Sequence, residues 1–108
     1  MELTGKQKRH LRALGHSLRA LVQVGRNGVT DALVEGTDDA LEAHELVKIR
    51  FGQGFDGDLA PTVDELARRA GATVAGRVGR TALLYRGLVG TDDAADLIGW
   101  WVVMRGGV

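Results

Sequence analysis

Hydrophobic positions recur along the start of this chain with two spacings, one helical and one typical of strands. Thr4 and Gln7 have the spacing of a capping box, and leucines follow at helical intervals, which predicts an amphipathic helix over about residues 4–18. The branched run at residues 20–24 stops at a glycine and predicts a short buried strand. A second helix, capped by Thr30 and rich in acidic residues, is expected to follow it to about His44.

The middle of the chain changes from alternation to loop chemistry and then back to a helical pattern. Residues 46–51 alternate apolar with basic side chains, which predicts a strand with one face inward and one polar. Residues 52–61 hold three glycines, two aspartates and the proline, and they predict a loop. A capping box at Thr62 then predicts a short helix to Ala70, with Gly71 as its stop.

Two strand-like runs close the regular part of the chain. Residues 73–78 and 81–86 flank Gly79 and Arg80, and a glycine first in a two-residue loop permits a type II′ hairpin. The predicted order is therefore α-β-α-β-α-β-β. It indicates an α/β protein of the two-layer α+β kind, in which a small four-stranded mixed sheet is backed by helices.

A different composition begins near residue 89. Acidic residues are followed by a mostly apolar segment that contains Trp100 and Trp101, the two tryptophans of the chain. We predict one domain over residues 1–88 and a C-terminal extension over residues 89–108. Docking on the domain, pairing with a partner's strand and a disordered end are all open for this extension.

Composition narrows the classes of protein that this chain can represent. Its 108 residues suit one domain, and 44% hydrophobic with 26% charged residues is typical of a folded globular protein. The chain has no cysteine, which excludes disulfides, thiolate metal sites and a cysteine nucleophile. It also shows neither a secretory leader nor an apolar stretch of membrane-spanning length, so we expect a cytoplasmic protein with no membrane partner.

The charged residues are segregated along the sequence although their sum is zero. Residues 1–30 hold six cations and one acid, residues 31–67 hold ten acids and two cations, and residues 68–86 hold five arginines and no acid. If the two basic segments meet in the fold, a neutral protein presents one positive face, which is the pattern of a phosphate-backbone binder. Solvated faces of an ordinary domain would give the same counts.

The residues that carry enzyme chemistry are poorly placed for it. His10, His16 and His44 fit no metal-binding spacing, and the adjacent aspartate pairs of the chain would point apart on a helix. The sequence has neither a nucleophile elbow nor a Walker A motif. We therefore expect no catalytic residue, no metal, no cofactor and no small-molecule substrate.

Two GxxG segments remain as candidate binding motifs, one at residues 25–28 and the other at residues 76–79. The first lies between a strand and the start of a helix, where unpaired backbone amides favour an anion, and it offers Arg26 and Asn27 to a sugar-phosphate backbone. A GxxG loop clamps nucleic-acid backbone in this way in KH domains. We therefore rank the first segment above the second, for which a plain turn is the simpler interpretation.

Several motifs together resemble a known family. They are Leu3-Thr4-Gly5-Lys6-Gln7-Lys8-Arg9-His10-Leu11-Arg12, His16 with Leu18, Val22 to Gly25, Asn27-Gly28-Val29-Thr30, Ala40 to Lys48 and Leu83-Leu84-Tyr85-Arg86. In this order and spacing they resemble the bacterial YhbY family, which is a stand-alone CRM (chloroplast RNA splicing and ribosome maturation) domain. The resemblance runs from about residue 3 to residue 87.

The resemblance implies a fold similar to the C-terminal domain of translation initiation factor three, and it implies RNA binding in ribosome assembly. The implied partner is ribosomal RNA in precursors of the large subunit, and we expect a monomer. The predicted RNA-binding residues are Lys6, Lys8, Arg9, Arg12, Arg19, Gly25, Arg26, Asn27, Gly28, Arg77, Arg80 and Arg86. The alternative hypothesis is a protein-interaction module that uses the tryptophan-containing extension.

Overall fold

The structure, a computed structural model, describes residues 3–87 of the chain. Their elements are, in chain order, α1 (Gly5–Gly15), β1 (Ala20–Val24), α2 (Asp31–His44), β2 (Leu46–Phe51), α3 (Leu59–Ala70), β3 (Thr73–Val78) and β4 (Thr81–Tyr85). The predicted order of helices and strands is confirmed. The extension predicted over residues 89–108, with both tryptophans, lies outside the described residues.

The four strands form one mixed sheet in the order β1-β2-β4-β3. β1 runs parallel to β2, whereas β2 with β4 and β4 with β3 are antiparallel. In this register Val24 lies beside Phe51, and the amide of Phe51 donates to the carbonyl of Arg80 at 2.8 Å. The carboxyl ends of β1 and β2 and the β3–β4 turn therefore meet at one end of the sheet.

One side of the sheet, which we call the closed face, is covered by α2 and α3. Alternate residues of the strands point into this layer because side chains in a strand alternate between faces. Val24, Val47, Ile49, Phe51 and Leu84 are each no more than 2% exposed there. They pack with Leu41 of α2 and with Val63, Leu66, Ala67 and Ala70 of α3 in the larger of two hydrophobic clusters.

The other side, which we call the open face, is covered only in part, by α1. Leu11 packs against Leu46, Leu83 and Tyr85 in the second hydrophobic cluster. The α+β class and the four-stranded mixed sheet are thus confirmed, with the refinement that helices lie on both faces of the sheet. The central strands require this because they carry large apolar side chains on both sides, and one layer of helices could bury only one of them.

Helix α1 begins as predicted and ends earlier. Thr4 caps it with a reciprocal pair of bonds, in which the Gln7 amide donates to Thr4 Oγ1 at 3.1 Å and the Thr4 amide donates to Gln7 Oε1 at 2.8 Å. The helix stops at Gly15. A tighter turn follows, in which the Leu18 amide donates to the Gly15 carbonyl. A β-carbon at Gly15 would lie 2.5 Å from a methyl of Leu83, so a larger residue there would force Leu83 or α1 to shift.

Two other local predictions are wrong in detail. Strand β1 is an edge strand with Leu21 half exposed, because its only neighbour in the described sheet is β2. Helix α3 begins at Leu59 instead of Thr62, and the Thr62 hydroxyl donates to the Asp58 carbonyl at 2.7 Å instead of capping a helix. Pro61 is tolerated because first-turn amides have no partner within the helix.

The predicted turn glycines have the expected backbone. Gly71 ends α3 with φ of 65°, and Gly79 has φ of 57° in the hairpin turn. Arg80 is not among the residues with positive φ. This agrees with a type II′ turn, which needs positive φ only at its first central residue, here Gly79. Strand β4 ends at Tyr85, one residue before the predicted end, and the following residue, Arg86, turns toward α2.

A buried polar pair joins the start of β2 to the end of β4. The Tyr85 hydroxyl donates to Glu45 Oε1 at 3.0 Å, and both residues are at most 5% exposed. Burial, reinforced by the neighbouring Glu45 carboxylate, raises the pKa of the Tyr85 phenol well above its ordinary value of 10.0. Tyr85 therefore stays neutral in the folded protein over the physiological pH range.

Candidate nucleic-acid interface

The first GxxG segment forms an exposed turn between β1 and α2. The Gly28 amide donates to the Gly25 carbonyl at 3.0 Å, and Gly28 has φ of 64°, in the left-handed region that glycine adopts without strain. Gly25, Arg26 and Asn27 are exposed, and no atom lies within 4 Å of a β-carbon built on Gly25. The turn is therefore open to a large ligand, as a backbone clamp needs.

A second loop supports this turn from the side. The Gly52 amide donates to the Val24 carbonyl at 2.9 Å, and a β-carbon on Gly54 would lie 3.7 Å from the Arg26 amide nitrogen. Arg80 fastens the same loop to the hairpin, because its guanidinium donates to the carbonyls of Phe51, Gly52 and Phe55. The GxxG turn thus stands at the end of the sheet beside the β3–β4 turn.

The cations of α1 gather with one cation of β3 along the sheet edge. Lys8, Arg9 and Arg12 line a recess together with Arg77, and Asp64 of α3 is the carboxylate among the residues that line it. The α1 cations and Arg77 lie more than sixty positions apart in the chain, and α1 packs against β3, an edge strand of the sheet. The structure therefore brings three of the six N-terminal cations next to Arg77, which is the one arginine of residues 68–86 that lines this recess, so the two basic segments meet only in part.

The other predicted binding residues divide into two groups. Lys6 and Arg19 are exposed on α1 and after it, and they are free to contact a ligand. Arg86, by contrast, donates to Asp38 Oδ1 at 2.6 Å and to the Ala70 carbonyl at 2.8 Å, which ties β4 to α2 and α3. Since the guanidinium groups of Arg80 and Arg86 already hold protein oxygens, we leave both out of the proposed contact surface.

Two cations that the sequence-based prediction did not include lie on the open face. Lys48 lines a recess beside Arg12 and His16, and Arg50 is exposed opposite Thr81 in the β2–β4 register. The alternating pattern of β2 had placed both side chains on its polar face. They were missed because they stand in an acidic stretch of the sequence, and only the packing of α1 on the sheet brings Lys48 next to Arg12 and His16.

The acidic residues of α2 lie on the opposite side of the sheet, next to the closed face. Within residues 3–87 the salt bridges are formed by Arg69 with Asp31 and Glu65, and by Arg86 with Asp38 and Glu42. The remaining described cations form no ion pair inside this part of the chain. The cationic side chains on the open face and on α1 are therefore available to an external anion.

Other chemistries find little support in the described part of the chain. No group of three or more histidines and carboxylates in it could hold a metal ion. Asp38 pairs with Arg86, and the neighbouring Asp39 is exposed. Of the described helices, none has both the length and the apolar character that a membrane span requires.

Comparison with known proteins places these features in a family. The sequence model of the CRS1/YhbY (CRM) domain matches residues 3–86. The chain belongs to the CRS1/YhbY (CRM) domain family. The matched range includes α1, the GxxG turn and all four strands, and it ends at Arg86.

Individual relatives agree with this assignment. The chain is 37% identical over 84 residues to the Bacillus subtilis protein named "Probable RNA-binding protein YqeI", an alignment that covers 78% of this chain and 88% of the relative. It is 30% identical over 84 residues to a Haemophilus influenzae protein named "RNA-binding protein", covering 78% and 85% of the two chains. The solution structure of SAV1595 from Staphylococcus aureus matches with a TM-score of 0.71 at 31% identity, covering 82% of this chain and 92% of that one.

The family range also bears on the alternative hypothesis of a protein-interaction module. That hypothesis rests on Trp100 and Trp101, which lie beyond the family match and outside the described residues. Membership of the CRM family therefore concerns residues 3–86 and gives no support to a role for the two tryptophans.

Proposed function

We propose that this protein binds RNA through its sugar-phosphate backbone, using the GxxG turn and the basic surface that continues over α1 and the open face. The observation that carries the proposal is the separation of charge across the sheet. Apart from Arg68 of α3, the exposed cations without ion pairs in the described chain stand on α1, on or directly beside the strands and at the GxxG turn, whereas the acidic helix α2 covers the closed face. Such a surface attracts a polyanion although the formal net charge is zero.

Backbone contact is favoured over base stacking by the placement of the aromatic residues. Phe51, Phe55 and Tyr85, the aromatic residues of the described chain, are at most 7% exposed. Proteins that splay out single-stranded bases usually offer exposed aromatic rings to stack on them. With arginines, lysines and loop amides instead, the described surface is suited to reading the shape of structured RNA.

The partner we propose is ribosomal RNA in precursors of the large ribosomal subunit, and the role is that of an assembly factor. The support is the family resemblance, together with the RNA-binding names of the relatives. The proposal assigns no catalysis, cofactor or small-molecule substrate to the chain, and it takes the protein as a cytoplasmic monomer.

The salt dependence of RNA binding tests the backbone mechanism. Affinity for a ribosomal RNA stem-loop, measured by fluorescence anisotropy over a salt series, should fall linearly on a log-log plot. Each phosphate neutralised should contribute a slope of roughly 0.7 to 0.9, because binding releases condensed counterions. An affinity that stays flat as salt rises would contradict the mechanism.

The choice of RNA is tested in cells. Crosslinking the protein to RNA and reading the bound fragments should recover large-subunit ribosomal RNA, and the protein should sediment with large-subunit precursors in a gradient. Fragments spread evenly over messenger and transfer RNA would contradict the ribosomal assignment while leaving RNA binding intact.

A further inference from the structure

The recess beside Lys48, which we call the sheet recess, lies where the C-terminal turn of α1 meets the uncovered part of the open face. Arg12 lines it from α1 and His16 from the position directly after α1, Lys48 from β2, and Val78 and Thr81 from the hairpin. Ala82 and Leu83 form part of its apolar floor. Its wall is made by three segments that are distant in sequence, and the sheet register together with the packing of α1 on the sheet brings them together.

Arg12 is held at the rim of this recess by an unusually close approach. A β-carbon on Gly76 would lie 2.6 Å from both Cγ and Cδ of Arg12, so the aliphatic stem of the arginine rests directly on the backbone of β3. Gly76 is not among the glycines with positive φ, so the backbone itself does not require glycine there. Because residue 76 has no side chain, Arg12 has the space that it occupies. Arg12 lines both the sheet recess and the recess that Lys8, Arg9 and Arg77 form at the sheet edge.

The charge and size of the sheet recess indicate what it can bind. Of the described residues that line it, three can carry positive charge and none is a carboxylate. Its volume of about 110 Å³ exceeds that of a single water, and it is well below the several hundred Å³ that enclose a whole small ligand. The fitting occupant is one anionic group of a larger molecule, held in a partly apolar setting where charge interactions are stronger than in open water.

We propose that the sheet recess binds one phosphodiester of the RNA, held by Arg12, Lys48 and His16, and that Gly76 is the positioning residue that orients Arg12 toward it. This proposal rests on the RNA binding proposed above and adds a second contact region to the GxxG turn. The RNA backbone then runs from the β1–α2 turn across the open face to α1.

The positioning role is tested by a substitution that leaves every charge in place. Gly76→Ala displaces the Arg12 stem, and we expect RNA affinity to fall by about tenfold, the scale of one charge-assisted hydrogen bond. In an Arg12→Ala background, Gly76→Ala should cause no further loss, because the two changes remove the same contact. Losses that simply add, or a Gly76→Ala protein that binds as tightly as the parent, would overturn the positioning role.

Gly36→Ala is the matched control. Gly36 is exposed on α2 on the other side of the sheet, and no atom lies within 4 Å of its β-carbon position. This variant should bind RNA like the parent. Thermal unfolding of all three alanine variants separates lost folding from lost binding.

The recess itself is tested by Lys48→Glu, with Arg68→Glu as its control, because Arg68 is exposed on α3 and forms no ion pair within the described chain. Lys48→Glu should weaken RNA binding by about tenfold or more. It should also reduce the log-log salt slope by roughly 0.7 to 0.9, the contribution of one phosphate contact, while Arg68→Glu leaves both quantities nearly unchanged. Equal effects of the two reversals would overturn the assignment of the recess.

Amide NMR shifts distinguish a phosphate of the RNA from free phosphate. They also distinguish failure of the recess assignment from failure of RNA binding itself. Adding the RNA stem-loop should shift the amide resonances of Thr81 and Leu83, whereas millimolar inorganic phosphate alone should not. Equal shifts with free phosphate would assign the recess to a free anion and overturn the RNA contact. RNA binding that shifts the Arg26 and Asn27 amides but not those of the recess overturns this inference alone. Absence of any RNA binding overturns the proposed function as well.

Discussion

The two faces of the sheet carry their charged residues in opposite ways. On the closed-face side, α2 supplies five carboxylates, and Arg69 and Arg86 are paired with acidic side chains. On the open face, Arg12, Lys48 and Arg50 have no ion-pair partner among residues 3–87. The thirteen lysines and arginines and the ten aspartates and glutamates of residues 3–87 are thus spread unevenly over the two sides of the sheet, and a polyanion can approach the open face favourably.

The largest effect is expected from reversing two cations on the proposed binding side. Lys8 and Arg26 are both exposed and have no ion pair in the described chain, so Lys8→Glu with Arg26→Glu should leave folding intact. If both contact phosphate, the double variant should lose about 3–6 kcal/mol of RNA-binding free energy, at about 1.5–3 kcal/mol for each charged contact. Anisotropy titration with the stem-loop measures this loss. Arg68→Glu on α3 is the control, and a double variant that still binds like this control would contradict the contrast between the faces.

The next effect concerns stability and the depth of the closed-face core. Phe51 is 2% exposed and its ring is tilted against that of Phe55 with centroids 4.9 Å apart, so Phe51→Ala should lower the free energy of unfolding by about 3–5 kcal/mol. Leu21, which is 50% exposed on the open face, should change it by less than about 0.5 kcal/mol when it is replaced by alanine. Urea unfolding checks both variants, and similar losses would show that the open face is packed in solution.

A smaller effect follows from the buried phenol where α1 covers the sheet. Because the pKa of Tyr85 is raised in the folded state, its neutral form stabilises the protein at pH values below the unfolded pKa of 10.0, and this contribution is lost as pH rises above it. The free energy of unfolding should then fall by up to about 1.4 kcal/mol per pH unit. Tyr85 is the only tyrosine of the chain, so phenolate absorbance reports on it alone.

That absorbance gives a clear criterion. It should appear together with the loss of helical circular dichroism as pH rises, because the phenol ionises when the protein unfolds. Phenolate forming near pH 10.0 in a fully folded protein would contradict the burial of Tyr85 beneath α1.

The smallest effect separates a structural arginine from the binding surface. Arg86→Met removes the bonds to Asp38 and to the Ala70 carbonyl, and it should lower the free energy of unfolding by about 1 kcal/mol, since the Asp38 side chain is half exposed. RNA affinity and its salt slope should stay unchanged. A reduced slope with unchanged stability would return Arg86 to the RNA-binding residues where the sequence alone had placed it.

Much of the fold was predictable because the signals are local. The Thr4 capping box, the alternation in β2 and the hairpin glycine Gly79 each depend on neighbours within a few residues, and each was confirmed. The start of α3 was predicted wrongly because the box at Thr62 resembles a cap. The helix begins earlier, at Leu59, since its first turn tolerates Pro61, and Asp58 at the N-cap position makes no side-chain capping bond.

The candidate site was predictable in part for the same reason. A glycine turn between a strand and a helix is a local pattern, and its exposure follows from its place at the end of the sheet. The sequence could not show that Arg80 and Arg86 bind oxygen atoms of the protein while Arg12 stays without an ion pair within residues 3–87, because all three are arginines in basic segments. Their partners, the backbone at Gly76, the carbonyls near Gly52 and the Asp38 carboxylate, lie at least 25 residues away in sequence.

The sequence by itself determined the order of the helices and strands, the position of the GxxG turn and the uneven distribution of charge along the chain. These depend on backbone preferences and side-chain spacing, which act over a few residues. The tertiary structure alone decided which cations are neutralised, which remain exposed together and where a recess forms between them. The physical reason is that strand register and helix packing set the distances between remote charges, and electrostatic attraction depends on those distances.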